Sequence, residues 1–218
     1  MLSVNPFANP SSRAFYNQAI WVRASILDSL TIWEHGPAKL LDVTKPYACA
    51  KFKKMMLDFK KEYGIDGFLF NGGQSNYLPT ISDIHQELNH PDEFSRYYIE
   101  LADDIASKDR FGLIKMGVST QHIPLMLCIT DKSSTWGDDN GLRTVIPTVL
   151  TLGIMGYPFI LPGTVGGYTP KEKPSSELYI RWLETVIFMP GMKISIPPWE
   201  YGEETLCKVL SLMAIRQR

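Results

Sequence analysis

Asp131 stands directly behind the apolar run 123–130, and Asp138 and Asp139 follow a few residues later, the densest carboxylate cluster behind any apolar run of the chain. Carboxylates set in a pair can do acid and base work on a glycosidic bond, or hold a divalent cation. The same stretch, Asp138-Asp139-Asn140-Gly141, also reads as a solvated turn that caps the next helix. A second candidate is Asn71-Gly72-Gly73-Gln74. It is glycine-rich, but it has neither the lysine of a P-loop nor the third spaced glycine of a dinucleotide fingerprint, so phosphate cradling is not expected. His35, His85, His90 and His122 show no ligand spacing, and no metal or cofactor is expected. Cys49, Cys128 and Cys207 are odd in number and far apart, and are expected to be small buried apolar groups.

Elements must hold these residues in place. The stretch from Pro46 to Tyr63 reads as a helix, with Thr44 as its cap and Phe52, Met55, Met56 and Phe59 spaced three and four apart. Gly64 ends it, and residues 65–70 form a short apolar strand that delivers Asn71. The rhythm recurs. Helices are expected over Glu93–Lys108, Leu142–Gly156, Glu177–Met189 (Leu178, Trp182, Thr185 and Val186 on one side) and Glu203–Arg216. Strands are expected over Leu113–Ser119, Ile123–Thr130 and Tyr157–Leu161. Strands this short and apolar on both faces belong in a parallel sheet covered by helices, so the fold class is α/β. In such folds function sits at the carboxyl ends of the strands, here 71–74, 119–121, 131–140 and 162–167.

Composition excludes some partners. With 22 basic and 23 acidic residues and a net charge of −1, the chain carries no footprint for a phosphate backbone or an anionic bilayer, and nucleic acid is not an expected partner. No charge lies between Arg143 and Lys171, a stretch long enough to span a bilayer. Pro147, Pro158, Pro162 and five glycines break it, however, so a buried helix followed by a buried strand is expected in place of a membrane span. The amino terminus lacks the pattern of a signal peptide, and there is no Asn-x-Ser/Thr acceptor; localisation stays open. No repeat or linker divides the chain, and a single domain over 1–218 is the expectation.

Taken together, Asp66-Gly67-Phe68-Leu69-Phe70-Asn71-Gly72-Gly73-Gln74 and Tyr77-Leu78-Pro79 resemble the nucleophile strand of family 31 of the glycoside hydrolases, in the branch of the myogenesis-regulating glycosidase and the SITS-binding protein. Leu41-Asp42-Val43-Thr44-Lys45-Pro46, Trp136-Gly137-Asp138-Asp139, the run 156–162, the run 179–184 and Phe188-Met189-Pro190 extend the resemblance over nearly the whole chain. It implies a retaining α-glycosidase family on a (β/α)8 TIM-type barrel, of which this chain would supply roughly strands three to seven. With the first two strands and the last missing, the sequence is expected to be a fragment. The resemblance also implies a secretory or membrane-anchored setting for a full-length protein.

Carried over residue by residue, the family's acid/base aspartate matches Asp131, because a tryptophan follows five residues later in the family and Trp136 stands there. The nucleophilic aspartate matches Asn71, and the carboxylate that follows it in this branch matches Gln74. A lysine two residues before the nucleophile matches Leu69, the pocket arginine Lys115, and an aspartate after the seventh strand Gly163, while Trp33 matches an aromatic wall. A retaining mechanism needs an ionised carboxylate to form a covalent glycosyl intermediate, and an amide cannot supply it. Loss of a nucleophile in a well-studied hydrolase costs on the order of 10⁶ in turnover, or about 8 kcal/mol. The resemblance therefore implies a silent homologue that binds a carbohydrate. Two alternatives stay open: a working α-glycosidase pairing Asp131 with Asp138 or Asp139, and a scaffold or protein-binding domain without a sugar site.

Overall fold

The structure, a computed structural model, describes residues 1–16, 18–23, 30–79, 81–106, 111–168 and 173–217. They form two compact units, Met1–Leu125 and Met126–Arg218.

The first unit is built on three parallel strands, β1 (Leu2–Val4), β5 (Phe68–Phe70) and β6 (Gly112–Ile114), in the order β1-β5-β6. Val4 lies opposite Phe70, and Phe70 opposite Ile114; all three are buried. A small antiparallel sheet, β2 (Phe7–Ala8), β4 (Gly36–Leu40) and β3 (Leu30–Trp33) in that order, lies between β1 and helix α1 (Pro46–Tyr63) in sequence. Trp33 pairs with Gly36 across the hairpin turn, and Gly36 takes a φ of 94° that favours glycine.

Helix α1 begins at Pro46, where a missing N–H costs nothing, and stops at Gly64 in the left-handed conformation, whose N–H donates to Lys60 O. Thr44 does not cap it. Its hydroxyl donates to Asp42 Oδ1 at 2.6 Å and accepts from the Gln86 N–H at 3.1 Å, tying the start of the helix to the 85–86 segment. Only part of the expected apolar face is buried: Phe52 and Met56 are inside, while Met55 and Phe59 remain 39% and 38% exposed. Helix α2 (Asp92–Ala106) packs Phe94, Tyr98, Ile99, Leu101, Ala102 and Ile105 inward at helical spacing. The sequence expectation carried this helix to Lys108, which lies outside the described residues.

The second unit pairs β7 (Met126–Cys128) in parallel with β8 (Ile160–Leu161), joined through a 3-10 turn (Leu142–Thr144) and α3 (Val145–Ile154). Helices α4 (Ser176–Val186) and α5 (Glu203–Arg216) follow. Trp182, Tyr179, Leu183, Val186, Val145 and Val209 form its core. Ser175 caps α4 by accepting from the Leu178 N–H. Helix α3 departs from expectation. Val145 is buried, but Ile146, Leu150 and Ile154, four residues apart, are 50%, 61% and 89% exposed, so the charge-free segment holds a buried strand and a helix with one apolar face open.

The strands are shorter than their apolar runs. Pro124 and Pro158 have no N–H to give to a ladder, and the pairing starts after each, at Met126 and Ile160. At β6 the run to Ser119 is cut at Ile114, because its neighbour β5 ends at Phe70, where the chain turns through Gly72 and Gly73. Among the described residues no helix is long and apolar enough to cross a membrane.

Candidate functional site

Asn71 is delivered by β5. Its N–H donates to Val4 O at 2.8 Å, continuing the ladder with β1 by one bond, and its side-chain Nδ2 donates to Ser3 Oγ at 2.6 Å. The Asn71 carbonyl accepts from the Tyr98 hydroxyl at 3.0 Å. Burial pushes the Tyr98 phenol far above its ordinary value, so it serves as a permanent donor. Gly72 and Gly73 then take φ values of 69° and 81°. A Cβ on Gly72 would come within 2.6 Å of the Phe7 ring and 2.9 Å of Pro6, and one on Gly73 would overlap the ring of Tyr98, so both positions demand glycine for conformation and for space. The glycines of this segment serve the fold; they do not cradle a phosphate.

Gln74 follows, half-buried, and its Oε1 is buried with no donor among the described residues. The adjacent N–H of Ser75 donates to Ser95 Oγ at 2.9 Å, fastening the loop to α2. Phe7 links the loop to an aromatic group. Trp33 stacks on it with centroids 4.7 Å apart at 26°, Tyr77 meets it edge-on at 5.0 Å, and His35 lies edge-on to Trp33 at 4.6 Å. Trp33 Nε1 donates to Asn9 Oδ1 at 3.0 Å, which fixes the orientation of the ring. Asn71, Gln74 and Trp33 are thus brought into one neighbourhood of the first unit through Phe7 and the two glycines. Phe7 and Ser3 were missed from sequence; their short strands leave no periodic signal. Lys115, half-buried, follows β6 directly. Ser119, at a strand end singled out from sequence, is the one non-glycine residue with positive φ among those described, at 53°.

In the second unit Asp131 is exposed just beyond β7. The segment after it is closed by its own hydrogen bonds: the Asn140 side chain donates to Asp131 O at 3.4 Å and to Ser133 Oγ at 3.3 Å, and the Ser133 N–H donates to Asn140 O at 2.8 Å. Trp136, on the outside of this loop, is 45% exposed, so neither it nor Trp33 is a core tryptophan. Asp138 and Asp139 sit in an exposed turn, but they do not cap the next helix. The 3-10 turn that begins it starts from Gly141 without a side-chain cap.

Gly163 follows β8, buried, with a φ of 76°; a Cβ there would have only Ile129 Cγ1 as neighbour, at 3.7 Å. Beside it the strand end is tight. Ser134 Oγ donates to Gly166 O, and a Cβ on Gly167 would lie 2.8 Å from Ser134 Cα. Lys132 Nζ donates to Thr148 Oγ1 at 3.1 Å, and partial burial lowers its pKa. Among the described residues no group of three or more His, Cys, Asp or Glu side chains is gathered as a metal site would need.

Known proteins resemble this chain, some over nearly its full length. The model of the glycosyl hydrolases family 31 TIM-barrel domain matches residues 1–218. The myogenesis-regulating glycosidase of Mus musculus is 35% identical, over 99% of this chain and 32% of its own length. The SITS-binding protein of Tetronarce californica is 32% identical over 44% of this chain and 14% of its own length. The chain thus spans about a third or less of these relatives. Among solved structures, a sulfoquinovosidase of the same family from E. rectale, in complex with an aza-sugar inhibitor, superposes with a TM-score of 0.85 over 99% of this chain and 35% of that one, at 20% identity. That likeness is one of fold: an α/β architecture belonging to part of a (β/α)8 barrel.

Proposed function

We propose, since the chain belongs to family 31 of the glycosyl hydrolases, that it is a catalytically impaired member which binds a carbohydrate at the ends of its parallel strands without cleaving it. The observation that carries this reading is Asn71. It occupies the nucleophile position of the family motif, and its side chain is an amide whose Nδ2 donates to Ser3 Oγ at 2.6 Å. A covalent glycosyl intermediate needs an ionised carboxylate on the anomeric carbon; the neutral amide oxygen cannot form that ester, whatever Asp131 does as acid and base.

Binding asks for less. Aromatic faces stack on sugar rings, and Trp33 and Trp136 are both placed outside the core. Gln74 Oε1, a buried acceptor with no donor among the described residues, supports a role in receiving a hydroxyl. Lys115 supplies a donor where the family has an arginine, and Gly163 adds no side chain where the family has an aspartate.

The test is a calorimetric and glycan-array screen run beside hydrolysis of common α-glycosides, for this chain and for Asn71→Asp. Saturable binding without turnover by the chain, with turnover gained by the variant, is the expected result. A covalent sugar adduct trapped on any carboxylate of the unmodified chain would overturn the proposal.

A further inference from the structure

We infer that Asn71 is a self-modification site, at which the backbone nitrogen of Gly72 attacks Asn71 Cγ and the amide is exchanged for a carboxylate. That this carboxylate stands at a nucleophile position rests on the reading of residue 71 given above; the chemistry of the exchange does not.

The step balances without any added reagent except water. Gly72 N loses its proton to solvent base and forms a bond to Asn71 Cγ, the Cγ–Nδ2 bond breaks, and ammonia leaves, so that a five-membered imide remains. Water then opens the ring. Cleavage at Cγ gives aspartate, and cleavage at the backbone carbonyl gives the β-linked isoaspartate.

Four features of the fold favour the attack. The residue after Asn71 must be glycine, because a Cβ would strike Phe7 and Pro6, and glycine is the neighbour that least obstructs the approach of its own nitrogen. The Tyr98 hydroxyl donates to the Asn71 carbonyl at 3.0 Å. That bond draws charge onto the oxygen of the peptide linking residues 71 and 72, which makes the Gly72 N–H more acidic and stabilises the anion its loss leaves. Among the described residues no acceptor holds the Gly72 N–H. Finally, Asn71 Nδ2 donates to Ser3 Oγ at 2.6 Å, which holds the side-chain amide in one orientation at the end of the strand. Because burial keeps the Tyr98 phenol protonated well into the alkaline range, the donor persists under the mildly basic conditions that speed the reaction.

The test is incubation of the folded chain at mildly alkaline pH, followed by peptide mapping for the mass gain of an amide-to-acid exchange, with ammonia release measured in parallel. Exchange at Asn71 is expected to outpace that at Asn140, which also precedes a glycine, and to slow about fivefold in Tyr98→Phe, the fold-change of one ordinary hydrogen bond. Ser3→Ala, checked for folding by circular dichroism, serves as a second probe, and slower exchange is expected. An unmodified Asn71 after prolonged incubation, or equal rates at Asn71 and Asn140, overturns the inference. Exchange at Asn71 with no hydrolysis by the aged sample or by Asn71→Asp leaves the modification standing and sinks the reading of position 71 as a nucleophile site.

Discussion

Gly73 lies face-on against the ring of Tyr98, so close that the two side chains cannot both exist if position 73 carries a carbon. Tyr98 is fully buried, with its ring edge-on to Phe70 of β5. Gly73→Ala is therefore expected to lose about 3 kcal/mol, through overpacking together with the cost of a left-handed backbone. Urea denaturation checks it; a change within experimental error would mean that the ring yields.

Trp33 is held by Phe7 on one face and by Asn9 at its N–H, so it is presented as a fixed plane. Trp33→Ala is expected to weaken carbohydrate binding about tenfold, or ~1.4 kcal/mol. Trp199→Ala, an exposed tryptophan outside the strand ends, is the control and leaves binding unchanged. Titration calorimetry of the two variants separates a stacking wall from general loss of structure.

Glu93, in the first turn of α2, accepts from the Asn89 backbone N–H at 2.9 Å and from its side-chain amide at 3.2 Å, and these bonds hold its carboxyl below the usual carboxylate range. A folded-state pKa that is depressed contributes stability above the unfolded value, about 4.3, and this contribution disappears as pH falls through the folded value. Glu93→Gln is expected to flatten the loss of stability below about pH 4.3 relative to the parent chain. Thermal melts across the acid range measure the slope.

Arg216, in the last turn of α5, donates to four carbonyls around the end of α4: Ile187 at 2.7 Å, Met189 at 2.9 Å, Pro190 at 3.2 Å and Val186 at 3.4 Å. It satisfies the acceptors that a helix terminus leaves over, and its charge suits that end of the dipole. Arg216→Ala is expected to cost about 2 kcal/mol, with Lys restoring only part, because an ammonium cannot span four acceptors. Denaturation midpoints for the two variants decide it.

Cys207 is exposed and Cys128 buried, whereas burial, with Asp42 nearby, pushes the Cys49 thiol up to about 11. At neutral pH an alkylating reagent is expected to label Cys207 first and to reach Cys49 and Cys128 only on unfolding. Mass spectrometry of a time course reads the order.

The helices α1, α2, α4 and α5 were legible from sequence, α1 with its stop at Gly64, whereas α4 ends at Val186, three residues before the expected Met189; Asn71, Gln74 and Asp131 follow apolar runs as expected. Thr44 shows where local reading fails. Its hydroxyl is spent on a non-local contact with Gln86, which no window of neighbouring residues displays. Cys207, read as buried, lies on the open side of α5, because a single small apolar residue does not define a face. The strands β1 and β2 were invisible for another reason. Three and two residues long, they are defined by their pairing with β5 and β4, not by any pattern of their own. With them went Ser3 and Phe7, the residues that orient Asn71 and Trp33.

Positions 71 and 163, two of the three that the sequence resemblance sets against carboxylates of the family, differ in backbone conformation. Asn71 lies outside the left-handed region, so an aspartate in its place needs no change of main-chain conformation. At position 163 the main chain is wound the opposite way, and any aspartate installed there starts roughly 1 kcal/mol uphill before it touches a ligand. An aspartate is thus accommodated by the main chain at position 71 and opposed by it at position 163.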